Sequence, residues 1–405
     1  MEEIGYRKPN LIAYRTAQLV SYVFSNAVFR KKVLRNEIRD KEGPFVVIAN
    51  HQAAYDFANL IGATKRRMSF VISNSFYNSL PITDLLKLLG VIPKQQFQTS
   101  IGDMRRIKEV IEKGEGLVIY PAGLMCEDGL STPIPQATYK FLKWLGADVY
   151  AARTFGTYFA MPKWSKGFRP GRTYLDIYKL FSADELSEMS VDEVKKKTDE
   201  ALLFDAYREQ EELRVKYSGN SNLEGLENVL YMCPHCLREF TMRVRERHTL
   251  YCSECGYEEK SDELAFLSNL KGIGREIRYV SDWSRDIYER VRENIRKNRD
   301  FIISGKTTIH MLDYKKHRFA RVGQGTVSLT KNGFDLKGFL GAEKLDLHIP
   351  TLKIPTLPFK PGKYIELQHG SDIYRCVLED GRLAMKFINS LKAMHELNNP
   401  IKTKT

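Results

Sequence analysis

A histidine and an aspartate five positions apart, His51 and Asp56, directly follow a short apolar run, PFVVIAN at 44–50. On one continuous helix, residues five apart point about 140° away from each other and would not meet. Across a strand-to-helix turn they can. A carboxylate bonded to one imidazole nitrogen fixes the tautomer and leaves the other nitrogen free as a base. That pair can take a proton from an alcohol as it attacks an acyl carbonyl, and a positioned general base contributes roughly 10²–10⁴-fold. The competing reading is a loop histidine with Asp56 as a helix cap. Further along, Cys233-Pro234-His235-Cys236 and Cys252-Ser253-Glu254-Cys255 stand 15 residues apart, with Gly256 after the second pair. Two such knuckles are the pattern of a tetrahedral Zn²⁺ site in a zinc ribbon. Four thiolates leave no open position, so the expected Zn²⁺ is structural. A module of this size has little core of its own and depends on the metal to fold. His235 and His248 are rival ligands, read here as loop or surface residues.

The elements that must position the first pair alternate. PFVVIAN and MSFVIS read as buried strands with a helix, YDFANLIGAT, between them. MRRIKEVIEKGEG reads as an amphipathic helix stopped by Gly114. GLVIYPAG is a strand ending in a turn, QATYKFLKWLG a helix ended by Gly146, and ADVYAART another strand. Strands alternating with helices imply a largely parallel sheet, whose sites lie at the carboxyl ends of strands. His51 and the turn at Tyr120–Gly123 both fall at such ends.

Asn50-His51 with Asp56 resembles the first signature block of the glycerophospholipid acyltransferases, of the 1-acyl-glycerol-3-phosphate acyltransferase type. Gly90-Val91-Ile92-Pro93 resembles the second block, and Tyr120-Pro121-Ala122-Gly123 the third, usually Phe-Pro-Glu-Gly; the strand at 148–154 takes the place of the fourth. The resemblance covers roughly residues 10–180. It implies an α/β acyltransferase domain with a mostly parallel sheet, His51 and Asp56 as the catalytic pair, and substrate contacts at Asn50, Lys94, Tyr120, Pro121, Gly123 and Arg153. It implies an activated acyl donor as co-substrate (acyl carrier protein, coenzyme A or acyl phosphate) and a lysoglycerolipid acceptor, most simply lysophosphatidate. Backbone N–H groups near Gly123 are expected to stabilise the oxyanion. The chain departs from the family at Ala53, where a serine is usual, at Ala122 for an acidic residue, and at Met125 and Gln96 for arginines. These changes bear on recognition of an acceptor phosphate, for which Lys94, Arg153, Lys163 and Arg169 are the substitute cations. An acceptor without a phosphate, such as an amino-lipid, stays open. Cys126 has no second base beside it in the sequence and reads as an incidental thiol.

The remaining chain frames this domain. Residues 9–34 read as an apolar, aromatic helix with basic residues at Arg7, Lys8, Arg15, Arg30, Lys31 and Lys32. Such a helix either lies in a headgroup interface or packs on the next domain. Residues 183–218 are charged and helical, with Ser182 and Glu185 as a capping box, and 219–226 form a polar linker. After the cysteine pairs comes a charged helix at 275–300. Six short strands and a final helix follow, resembling a small β-barrel-like domain of the pleckstrin-homology type. The expected division is 1–40, a membrane-surface helix region; 41–222, the enzyme domain; 223–262, the zinc ribbon; 263–300, a linker helix; and 301–397, the β-rich domain.

The net charge of +13 and pI of about 9.2 point to an anionic partner: nucleic acid, an anionic membrane face or a phosphorylated substrate. Arg243, Arg245 and Arg247 share a strand face and keep nucleic acid open as an alternative, for a zinc-ribbon binding protein on a degenerate enzyme fold. The acyltransferase blocks make an anionic membrane surface the expected partner and nucleic acid an unexpected one. Lys306, Lys315, Lys316, Arg318, Arg321, Lys331 and Lys337 add to an anionic-surface reading of the last domain. Six cysteines, four of them in the two pairs, argue for a reducing compartment and against a disulfide framework. Glu2 and Glu3 open a segment unlike a secretory signal, and no run of about 18 uncharged apolar residues occurs. The expected place is therefore the cytoplasm, peripheral on the cytoplasmic face of a membrane.

Overall fold

The computed structural model describes residues 6–96, 100–219, 221–350 and 356–398. Glu2 and Glu3 lie outside them, as does position 220 of the expected linker. The chain divides into two compact units, Met1–Lys163 with Gly167–Asn220 and Trp164–Lys166 with Ser221–Thr405.

The first unit is an α/β sheet layered by helices. Its strands are β1 (Lys32–Asn36), β2 (Phe45–Ala49), β3 (Met68–Ser73), β4 (Ile92–Lys94), β5 (Gly116–Ile119), β6 (Asp148–Phe155) and β7 (Tyr174–Phe181). They lie in the order β1-β7-β6-β2-β5-β3-β4. All described pairings are parallel except β6 with β7. The mostly parallel sheet expected from the alternating pattern is therefore present. Strand β2 is buried at all five positions, as a central parallel strand covered on both faces must be. Val46 and Ile48 face a core with Leu117, Val149 and Ala151. Helices α5 (Ile101–Glu112), α6 (Ala137–Leu145) and α9 (Val191–Leu202) add Ile107, Val110, Tyr139, Leu142 and Val194 to it. Phe45, Val47 and Ala49 face the opposite core, which α1 (Leu11–Phe29) and α2 (Asp56–Ile61) close with Tyr14, Leu60 and Ile61. The short helices α3 (Asn74–Asn78), α4 (Thr83–Leu88), α7 (Thr157–Ala160), α8 (Ala183–Glu188) and α10 (Ala206–Leu213) complete the unit. The capping box of Ser182 and Glu185 forms, and Ser190 with Glu193 makes a second one.

The helix expected over 9–34 stops at Phe29. Arg30 turns left-handed at φ 41°, its N–H closes on Asn26, and the chain leaves as edge strand β1. Helix α1 has one buried face and one exposed apolar face. Tyr14, Ser21, Ser25 and Phe29 are buried, and the Tyr14 hydroxyl accepts the N–H of Met68 at 3.0 Å. Leu11, Ile12, Leu19, Val20, Tyr22 and Val23 are more than half exposed. Among the described residues no helix is long and apolar enough to cross a membrane.

The second unit begins with a four-stranded antiparallel sheet: β8 (Met242–Arg245), β9 (Thr249–Cys252), β10 (Glu258–Ser261) and β11 (Leu267–Asn269). Helix α11 (Val280–Lys297) starts later than its charge pattern suggested, and its Trp283 is fully buried, donating to the Met232 carbonyl at 2.9 Å. Then come β12 (Ile302–Asp313), β13 (Arg318–Thr330), β14 (Gly333–Leu340), β15 (Glu343–Pro350), β16 (Phe359–Lys360), β17 (Tyr364–His369), β18 (Asp372–Leu378) and α12 (Leu383–Asn398). The order is β15-β14-β13-β12-β18-β17-β16, antiparallel throughout. Among the described residues no ladder joins β15 to β16. Residues 351–355 of the expected barrel lie outside the described ones.

Candidate active site

Strand β2 ends at Ala49, and the next two residues do different jobs. Asn50 is buried, and its amide clamps β2 to β6: Nδ2 donates to the Thr154 carbonyl at 2.9 Å, and Oδ1 accepts the Thr154 N–H at 2.8 Å. Both ends of that amide are engaged, so Asn50 positions the loop rather than facing a ligand. His51 follows, its side chain about one-fifth exposed, and its Nδ1 lies 3.0 Å from Asp56 Oδ2. The Asp56 carboxylate is fully buried. The same oxygen accepts the backbone N–H of Gln52 at 2.7 Å and of Ala53 at 2.9 Å. The loop thus wraps around one carboxylate oxygen, which accepts the loop's own N–H groups and is also the partner of the imidazole. Asp56 is not the cap of α2: it is the first residue of that helix, whose N-cap is Tyr55 with no side-chain hydrogen bond. Nδ1 donates to the carboxylate, and Nε2 is left to act as a base. Tyr55, just before Asp56, packs on Phe29 and Phe24 of α1 and donates its hydroxyl to Ser25. That ties the amino-terminal helix to the site.

The third block forms a turn beside the dyad. The Tyr120 ring lies tilted over the His51 ring at 4.4 Å between centroids. Its hydroxyl is buried with no hydrogen-bond partner, and burial pushes its pKa well up. Pro121 is buried, and Gly123 is exposed at φ 71°. Only glycine takes that conformation without strain. The Gly123 N–H donates to the Tyr120 carbonyl at 3.0 Å and its own carbonyl accepts Gln96 Nε2 at 2.6 Å. The Gly123 N–H is therefore closed within the turn. Cys126 is buried, its thiol donates to the Gln52 carbonyl at 3.5 Å, and burial pushes its pKa well up. A thiol held neutral in this way is a poor nucleophile.

The substitute cations are engaged. Lys94 Nζ donates to the Gln95 carbonyl at 3.0 Å, and burial lowers its pKa. Lys163 Nζ lies 3.9 Å from Glu127 in a nearly closed environment. Arg169 is 5% exposed, and burial lowers its pKa too. Arg153, near the end of β6, donates from Nη2 to Glu209 Oε1 at 2.7 Å. Glu209, on α10, also accepts from Gln52 Nε2 at 3.4 Å. Gln52 in turn accepts through its Oε1 from Thr157 Oγ1 and the Tyr158 N–H, both at 3.2 Å. Glu209 is thus joined to the loop that carries His51. Desolvation raises its pKa from 4.5 to about 7, although Arg153 and Gln52 pull it down. Neither Gln52 nor Glu209 was singled out in the sequence. Gln52 lies inside the first block, whereas Glu209 has no local signal.

Residues 30–159 match the Acyltransferase family model. His51, Asp56, Tyr120, Gly123 and Arg153 all lie within these matched residues. The chain is similar to a chloroplastic 1-acyl-sn-glycerol-3-phosphate acyltransferase of Brassica napus, BAT2, at 22% identity over 162 residues. That match covers 39% of this chain and 46% of the relative, so the chain spans about half the length of the curated relative it matches. Among solved structures it is similar to the 1-acyl-sn-glycerophosphate acyltransferase PlsC of Thermotoga maritima, at 20% identity and a TM-score of 0.42, covering 50% of this chain and 79% of that one.

In the second unit, the Sγ atoms of Cys233, Cys236, Cys252 and Cys255 all lie within 4.8 Å of one another. Cys233–Cys255 and Cys236–Cys252 are 3.6 and 3.7 Å apart. A tetrahedron with metal–sulfur bonds of about 2.3 Å has edges of about 3.8 Å, so the four thiols fit a tetrahedral ion. The knuckles repeat one geometry. The Cys233 N–H bonds the Arg238 carbonyl and the Cys252 N–H bonds the Tyr257 carbonyl, with Leu237 and Gly256 left-handed at matching places. His248 Nδ1 is bonded instead to the Ser221 carbonyl. Of the three arginines expected on one strand face, Arg247 sits in the β8–β9 turn at φ 64° and lies 3.6 Å from Glu224. Arg245 pairs with Glu258 at 3.4 Å, and Arg243 donates to the carbonyls of Phe240 and Met242.

Proposed function

We propose that the protein transfers an acyl group from an activated donor to a hydroxyl of a lysoglycerolipid. The observation that carries this reading is the 3.0 Å contact of His51 Nδ1 with the buried Asp56, at the carboxyl end of a central strand, inside residues that match an acyltransferase model. His51 Nε2 takes the proton of the acceptor hydroxyl as its oxygen attacks the acyl carbonyl. Asp56 stabilises the imidazolium, and the proton passes to the departing thiolate or phosphate as the ester forms. The donor is an acyl thioester, on acyl carrier protein or coenzyme A, or an acyl phosphate. Lysophosphatidate, giving phosphatidate, is the first acceptor to test.

The surroundings of this chemistry complete the reading. The outward face of α1, with Arg7, Lys8, Arg15 and Arg30 around it, docks on an anionic membrane surface, and the protein works from the cytoplasmic face. The cysteine quartet holds a structural Zn²⁺. The β12–β18 sheet with α12 serves as a second lipid-facing module, in keeping with the resemblance of its run of strands to a pleckstrin-homology domain. Nucleic acid has no part in this reading.

The test is acyl transfer from labelled donors to lysophosphatidate and a panel of other lysolipids, with native protein and His51→Ala. Product with the native protein alone is expected. Absence of any His51-dependent product sinks the proposal.

A further inference from the structure

Four cations, Lys94, Arg153, Lys163 and Arg169, would stand in for the family's arginines, and each is buried or already engaged. Arg153 recognises a phosphate best with its planar fork open. Here Nη2 is committed to Glu209, and Nε is buried without a hydrogen-bond partner, so the fork's charge is balanced by one carboxylate. Lys163 faces Glu127, with side chains only 8% and 4% exposed, and its Nζ also lies 3.5 Å from the Met125 carbonyl. Lys94 is held against its neighbour's carbonyl, and Arg169 is buried. The segment carrying Met125 and Glu127 lies on the dyad loop itself, because the Cys126 N–H donates to the His51 carbonyl at 3.2 Å. Two carboxylates, Glu127 and Glu209, are thus built in beside the dyad, each balancing one cation. A phosphomonoester brings close to two negative charges. Seated here, it would either break a resident ion pair and leave a desolvated carboxylate uncompensated, or sit against that carboxylate. Both are costly because the two carboxylates are largely buried, with side chains 15% and 4% exposed for Glu209 and Glu127.

We infer that the acceptor is a lysolipid whose head group carries no net charge, and that Glu209 sets this preference by neutralising Arg153. The inference rests on the acyl-transfer reading and narrows its substrate. Because Glu209 also bonds Gln52, an acceptor that displaced it would disturb the loop that holds His51. A zwitterionic or neutral head group leaves both pairs intact.

The experiment offers lysophosphatidate, lysophosphatidylethanolamine and monoacylglycerol in competition, in mixed micelles at pH 8, where the Glu209 carboxyl is mostly ionised. The native protein is expected to favour the two net-neutral acceptors over lysophosphatidate by roughly tenfold or more in kcat/KM. Glu209→Gln is expected to move that ratio at least tenfold toward lysophosphatidate, and Glu127→Gln to move it the same way. Melting curves confirm that each variant is folded. A native preference for lysophosphatidate overturns the inference, and so does an unchanged ratio in two folded variants. Failure to acylate any of the three would instead refute acyl transfer to lysolipids, and this inference with it.

Discussion

Asp56→Asn separates the chemistry of the dyad from the architecture of its loop. In the native protein one oxygen, Oδ2, accepts from His51 Nδ1, the Gln52 N–H and the Ala53 N–H. An asparagine can place its carbonyl oxygen in the same spot and keep all three contacts, so the loop should hold. Two things change. The acceptor loses its charge, and the amide nitrogen falls where Oδ1 lies, buried and without a hydrogen-bond partner. An unsatisfied buried donor costs about 1–3 kcal/mol, which sets the expected loss of stability. The charge matters more to catalysis, because it is in the transition state that His51 becomes a cation. If the amide instead turns its N–H₂ toward His51, the ring must carry its proton on Nε2, the wrong tautomer for a base. Either outcome removes most of the general-base contribution, a fall of roughly 10²–10⁴ in kcat, or about 3–5 kcal/mol in the barrier. Asp56→Ala leaves the Gln52 and Ala53 N–H groups unpaired as well, at about 1–3 kcal/mol each, so it should match Asn in lost activity and exceed it in lost stability. The assay is kcat and KM with the preferred lysolipid, beside urea unfolding of each variant. If Asp56→Asn keeps kcat within threefold of native while its fold is intact, the carboxylate only holds the loop and the proposed role of the dyad is wrong.

Three further outcomes follow from other parts of the molecule. Glu209 has a folded pKa of about 7 against the usual 4.5. Its share of stability is therefore full below about pH 4.5 and lost as pH rises through 7, so the stability gap between native protein and Glu209→Gln should shift by about 2.5 kcal/mol toward the native between pH 8 and pH 5; parallel pH profiles would show that the carboxyl is not perturbed. The cysteine quartet should bind one Zn²⁺ per chain, with roughly 10–16 kcal/mol of coupled folding energy behind it, so chelation or Cys255→Ser should open residues 221–275 to limited proteolysis. Metal-free protein that resists protease as the native does would make the ion dispensable. Leu19→Asp with Val23→Asp should weaken sedimentation with anionic vesicles roughly tenfold while leaving the melting temperature unchanged, because both side chains are more than half exposed; unaltered partitioning would place membrane contact elsewhere.

What the sequence made legible follows from how each element is buried. Strand β2 reads as a strand because both its faces are covered, which forces an unbroken apolar run. Helices α5 and α6 read equally well, because each presents one apolar face and stops at a glycine, Gly114 or Gly146, with positive φ. Strand β1 was missed for the opposite reason. Its first four residues are exposed, among the described residues it joins the sheet only through β7, and its Lys32 continues the basic flank of α1. Nothing local marks the change from helix to strand except that Arg30 turns left-handed, and a non-glycine residue there gives no warning in the sequence.

The same asymmetry governs the site. His51 and Asp56 lie within one loop, so spacing and strand position are enough to bring them to mind. Arg153 is also visible as a cation at a strand end. Its meaning depends on Glu209, which lies on a helix whose charged residues read as solvated surface. The fold turns Glu209 inward against Arg153 and Gln52 and strips most of the water from it. A sequence displays charges, but it does not show which of them are already cancelled. On the inference drawn above, that distinction is what turns the acceptor preference away from a phosphomonoester. A substitution of the family's arginine, as at Gln96, is therefore weaker evidence about the acceptor than the pairing of the arginine that remains.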